Sequence, residues 1–72
     1  MTRTQIRLDT LSSINKFIEE MERVDVPVWL EDGNGCRVSA KSLLGALYSL
    51  EWETIYCYCD KDISIHLMPW II

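Results

Sequence analysis

The residues able to do chemistry are few. The chain carries three cysteines, Cys36, Cys57 and Cys59, and one histidine, His66. Zinc accepts thiolates and imidazole, so these four form a conceivable metal set. Spacing argues against it. Cys57 and Cys59 make a Cys-x-Cys pair within the strand-like run "YCYC", which is poor structural zinc spacing, and small buried cysteines are common. No metal and no cofactor is therefore expected. An odd number of thiols does not build a disulfide framework, and reduced cysteines fit a cytoplasmic chain. Nor is there a nucleophile–base pair, a carboxylate pair in a readable motif or a phosphate loop, so no enzyme is expected. His66, in "SIHLMPW", reads as a partly buried or surface histidine of a tail. What remains is Ser42, opening the short apolar helix of "RVSAKSLLGALYSL".

The elements that must position these residues follow from periodicity. "TQIRL" alternates, with Ile6 and Leu8 on one face and Gln5 and Arg7 on the other, which predicts a half-buried strand. Asp9, Thr10, Ser12 or Ser13 can then cap a helix. Leu11, Ile14, Phe17, Ile18, Met21 and Val24 recur every three or four residues, which predicts an amphipathic helix over about 11 to 23. Val26, Val28 and Leu30 alternate with Pro27, Trp29 and Glu31 in a second strand. "DGNG" supplies residues tolerant of positive φ for a hairpin turn, and "CRVS" returns as a third strand with Cys36 and Val38 inward. The short helix spans about 40 to 50, and "ETIYCYC" is a final strand. Ile55, Cys57 and Cys59 are taken as its inner face, so Tyr56 and Tyr58 point outward. Asp62 can cap one or two helical turns that Pro69 must end or kink.

This order, β-α-β-β-α-β with a shortened C-terminal segment, predicts one α+β domain over 1–72. It is an open-faced sandwich, with both helices on one face of a four-stranded, mainly antiparallel sheet. Hydrophobic residues make up 49 % of the chain, enough for a globular core. The net charge of −4 argues against nucleic acid or an anionic membrane as partner. No apolar run approaches the ~20 residues that cross a bilayer. "MTRTQIRLDT" lacks the apolar core of a signal peptide, so a cytoplasmic location is expected.

The short helix is greasier than packing requires. Leu43, Leu44, Ala46, Leu47, Tyr48 and Leu50 cover an arc of roughly 200°, where a stripe of about 100° suffices. Either the C-terminal tail wraps the surplus, or Leu43, Leu44, Leu47 and Tyr48 form a docking surface for a protein partner.

"NGCRVSAKSLLGALYSL" resembles the corresponding stretch of the histidine-containing phosphocarrier (HPr) family of the bacterial sugar phosphotransferase system. There an Asn-Gly turn, a strand and an Ala-Lys-Ser-Leu/Ile-Met/Leu-Gly segment open a short helix. "NKFIEEMERVDVPVWLE" resembles that family's first helix and second strand, and the likeness covers roughly residues 4 to 60. The resemblance implies two sites. One is a phosphorylatable histidine within a Gly-Leu-His-x-Arg-Pro segment at the first helix. Here "LDTLSSINKF" takes that place without histidine, arginine or proline, so phosphocarrier activity is not expected. The other is the serine opening the short helix, which maps to Ser42 and is phosphorylated by a dedicated kinase in Gram-positive members. A capping role alone is the plainer account of Ser42. The family's strand order makes the second and fourth strands neighbours, which puts Trp29 beside Tyr56 and Tyr58 on the uncovered face. The tail, with Trp70, Ile71 and Ile72, or a second copy of the chain would cover these rings. The resemblance thus implies a non-catalytic regulatory or partner-binding protein, and the alternative is a fold-only module that self-associates through this aromatic face.

Overall fold

A computed structural model describes residues 2–72, so Met1 lies outside it. Its elements are β1 (Thr2–Ile6), α1 (Leu11–Met21), β2 (Val28–Glu31), β3 (Arg37–Ser39), α2 (Leu43–Ser49), β4 (Ile55–Cys59) and α3 (Ser64–Leu67). The chain then tightens into a 3₁₀ turn over Met68–Trp70.

Thr10 starts α1, its hydroxyl accepting the Ser13 N–H at 3.0 Å, the ordinary way to satisfy a free first-turn amide. Ile14, Phe17 and Met21 are buried against the sheet. Leu11, expected in the same stripe, is instead 64 % exposed, because it lies roughly 120° around the helix from Phe17. The helix ends at Met21 and not near 23. Arg23 and Val24 bond back to the carbonyls three residues before them, each at 3.1 Å, and this tight turn returns Val24 to the core. Between β2 and β3, Asp32 accepts the amides of Asn34 at 2.7 Å and Cys36 at 3.1 Å. The turn needs positive φ at two places, and glycine stands at both, Gly33 (87°) and Gly35 (98°).

The strands form one antiparallel sheet in the order β1-β4-β2-β3. The fold is the expected α+β open-faced sandwich, with β2 and β4 adjacent. Ile6, Val28, Leu30, Ile55, Cys57 and Cys59 face the helices and join Phe17, Ile14 and Met21 in one core, so the phase read for "YCYC" holds. β1 occupies residues 2 to 6 and not 4 to 8, because its last partner on β4 is Ile55, paired with Ile6. Leu8 leaves the strand but remains buried. Among the described residues no helix is long and apolar enough to cross a membrane.

The tail does not cover the aromatic sheet face. It runs along the outer edge of β1, where Ile71 bridges Ile6. The Arg7 N–H donates to the Trp70 carbonyl at 2.9 Å and the Ile72 N–H to the Gln5 carbonyl at 3.4 Å. Burial decides this route: Ile63 and Leu67 enter the core, and Trp70 meets the Phe17 ring edge-on at 5.3 Å. His66 Nδ1 lies 2.6 Å from Glu20 Oε2. These contacts cover one flank of α1.

Two exposed carboxylates anchor the tail. The hydrogen bond from Lys61 Nζ at 2.9 Å, with the attraction of that ammonium, holds Asp25 below the usual carboxylate range. The Ser64 backbone amide and then its hydroxyl do the same for Asp62. A carboxylate lowered on folding stabilises the fold above its unfolded value, about 3.9, and that contribution is lost as the pH falls through the lowered folded value. The urea midpoint should therefore fall between about pH 5 and pH 3, and Asp62→Asn should flatten part of that slope.

Candidate functional site

The short helix lies on the sheet with its small residues inward. Ala46 and Ser49 are the buried residues of α2. Gly45 sits where an added methyl carbon would meet the Ser39 carbonyl oxygen at 3.0 Å and Val38 Cβ at 3.2 Å. Ser49 tolerates burial because its hydroxyl donates to the Ala46 carbonyl at 2.6 Å. The large residues consequently turn outward: Leu43 is 51 %, Leu44 79 % and Tyr48 57 % exposed. Leu47, expected among them, is only half exposed and packs against the core. Tyr48 is steadied by an edge-on contact with Trp52 at 6.2 Å.

Ser42 is the N-cap of α2 and not part of its first turn. Its Oγ accepts the Gly45 N–H at 3.2 Å, and the residue is exposed. The helix begins at Leu43 because Ala40 still belongs to the sheet, its N–H reaching the Val28 carbonyl at 2.9 Å. A turn follows in which Ser42 N–H bonds the Ser39 carbonyl at 3.3 Å. The accessible hydroxyl thus stands directly before Leu43 and Leu44.

At the start of α1 there is no histidine. The fold brings Arg7, Asp9 and Ser13 around a cleft of about 300 Å³ whose other wall is Pro69 and Trp70 of the tail. His66 is held apart from it on Glu20. Cys57 and Cys59 are buried, and desolvation first, then the neighbouring Cys59, pushes the Cys57 thiol up to about 12, so it is inert at neutral pH. Among the described residues no three His, Cys, Asp or Glu side chains gather as metal ligands.

The second surface is the open sheet face. Trp29 is paired with Tyr58, and Glu31 with Tyr56, so the predicted aromatic row is brought together. Sequence reading missed the charged groups that lie on it. Arg3 reaches diagonally over the Tyr56 ring, 4.0 Å from its centre. Arg37 lies 4.8 Å from the centre of Tyr58 and 5.9 Å from that of Trp29. Glu31 accepts from Arg3 Nε at 3.2 Å and from Arg37 Nε at 2.9 Å. The signal was present, since Arg3 is in phase with Gln5 and Arg37 alternates with Val38.

No family model, no curated protein and no solved structure matches this chain.

Two substitutions separate packing from display. Gly45→Ala gains helix propensity of about 1 kcal/mol, but backbone cannot easily yield, and overpacking costs about 1–3 kcal/mol. A net loss of about 1 kcal/mol is expected in urea denaturation. Leu44→Ser should shift stability by less than about 0.5 kcal/mol, and a larger loss would place Leu44 in the core.

Proposed function

We propose that the chain is a non-catalytic, partner-binding protein of the HPr kind that docks through α2 and is regulated at Ser42. The observation that carries this reading is the inverted burial of α2. A helix that buries Ala46 and Ser49 while displaying Leu43, Leu44 and Tyr48 leaves apolar surface wet unless a partner covers it. Folding alone gives no reason to keep leucine at a position 79 % exposed. Phosphate on the exposed Ser42 hydroxyl would add about two negative charges at pH 7 beside that surface. An apolar partner would then meet a charge that must be desolvated, and docking would change. The family resemblance supplies the expectation that such a serine is a kinase target, and "SAKSLLG" is the segment that carries it.

The serine kinase of HPr proteins is the direct test. Incubation with kinase and ATP should add one phosphate to the intact protein and none to Ser42→Ala, and an unchanged mass of the parent chain would remove the regulatory part of the proposal. With phosphoenolpyruvate and the upstream phosphotransferase enzyme no acid-labile label is expected, because "LDTLSSINKF" has no imidazole to carry it.

The alternative, self-association through Trp29, Tyr56 and Tyr58, draws on the tail leaving those rings uncovered. It has less support, because two guanidinium groups already lie on the rings and each copy would bring the same surplus of positive charge. Sedimentation of the parent chain and Trp29→Ala should give one monomeric species for both, and a concentration-dependent dimer lost in the variant would reverse this preference.

A further inference from the structure

The open sheet face is positive on an acidic molecule. Arg3, Arg37 and Glu31 give it a charge of +1, so the rest of the chain carries −5 of the net −4. The two guanidinium groups converge on one carboxylate, and the face is one negative charge short of balance. Donors remain open. Glu31 engages only Nε of Arg3, and Nε and Nη2 of Arg37. Among the described residues neither Nη of Arg3 nor Nη1 of Arg37 has a partner. Side-chain exposure is 50 % for Arg3 and 46 % for Arg37 against 17 % for Glu31. The acid is therefore the inner member and the two arginine side chains are the more accessible ones.

There is also room at this point. A cavity of about 340 Å³ is lined by Arg3, Glu31, Gly33, Gly35 and Arg37. Its two glycines, required by the turn, place no side chain in its mouth. The Tyr56 ring lies beside Gly33, and the guanidinium carbons of Arg3 and Arg37 sit 4.0 and 4.8 Å from the centres of Tyr56 and Tyr58, close enough for cation–π attraction to hold them there. A guanidinium with unpaired N–H groups matches the oxygens of a carboxylate. We infer that this face is a docking site for an acidic peptide segment of a partner protein, whose Asp or Glu side chain takes the open donors of Arg3 and Arg37 beside Glu31. A second copy fits poorly, since two faces of +1 would meet. Nucleic acid would bring bases to stack, but the arginines already occupy the ring faces.

A hexaglutamate peptide, titrated into the labelled protein and followed by NMR, tests this. The Nε–H signals of Arg3 and Arg37 and the Trp29 indole N–H should shift together and saturate, more weakly as salt is raised. Arg3→Gln with Arg37→Gln should weaken binding at least about tenfold, whereas Lys16→Gln with Arg23→Gln, an equal charge change at exposed residues of α1 and the turn after it, should leave it within about twofold. Glu31→Gln removes the internal competitor and should tighten binding several-fold, a gain that misfolding cannot imitate. The inference is overturned by shifts absent at these three groups, by binding retained in the double arginine variant, or by Glu31→Gln weakening it. Stronger binding of oligothymidine or inorganic phosphate than of hexaglutamate, or the same shifts on concentrating the protein alone, would also overturn it.

Discussion

At Gly45 an added methyl carbon would sit 3.0 Å from the backbone of β3, closer than side chains ordinarily come, and much of the molecule follows from that close approach. A helix pressed this near the sheet fully buries only alanine and a self-satisfied serine, with glycine at the closest approach. Leu43, Leu44 and Tyr48 are then excluded from the core by geometry and not by polarity, while Leu47 packs against its margin. In most surface helices the apolar stripe faces inward. Here the seven residues of α2 divide by size, and the larger apolar ones other than Leu47 face water. The core does not suffer, because Phe17, Ile14, Met21, Leu30, Ile63 and Leu67 fill it from α1, the sheet and the tail.

The other exposed surface is built on a different principle. On the open side of the sheet, aromatic rings are not hidden but roofed. Arg3 from β1 and Arg37 from β3 lean across β4 and β2 respectively, and Glu31 holds both. All four strands are thus cross-linked on this side by contacts each worth about 0.5–1 kcal/mol at exposed sites. The tail closes the edge of β1 and leaves this face free. The chain therefore presents two unlike surfaces, an apolar one on α2 and a cationic, aromatic one on the sheet.

Much of this was legible in the sequence, for physical reasons. Alternation in "TQIRL" and "IYCYC" predicted which side chains face the helices, because strand side chains alternate strictly. The 3.6-residue recurrence of Ile14, Phe17 and Met21 predicted α1, and two glycines in "DGNG" predicted the hairpin. Less legible were properties that depend on neighbours. Leu11 and Leu47 have the right residue type for their predicted places, but one falls outside the stripe and the other half inside the core. The size division of α2 is invisible to an apolar count, which scores Ala46 and Leu44 alike. The route of the tail depends on Trp70 finding Phe17, a contact that no local pattern announces. The arginine roof was readable only once the strand order was known, since Arg3 and Glu31 belong to strands separated by β4.

The central claim is that Leu43 and Leu44 of α2 are displayed and not packed, and solvent paramagnetic relaxation of side-chain protons measures it most directly. With a soluble gadolinium chelate, the Leu44 methyls should relax fastest, Leu43 and Tyr48 strongly, Leu47 less, and the Ala46 methyl scarcely at all. Leu44 methyls as protected as that of Ala46 would contradict the account, since α2 would then bury the surface on which its docking role rests.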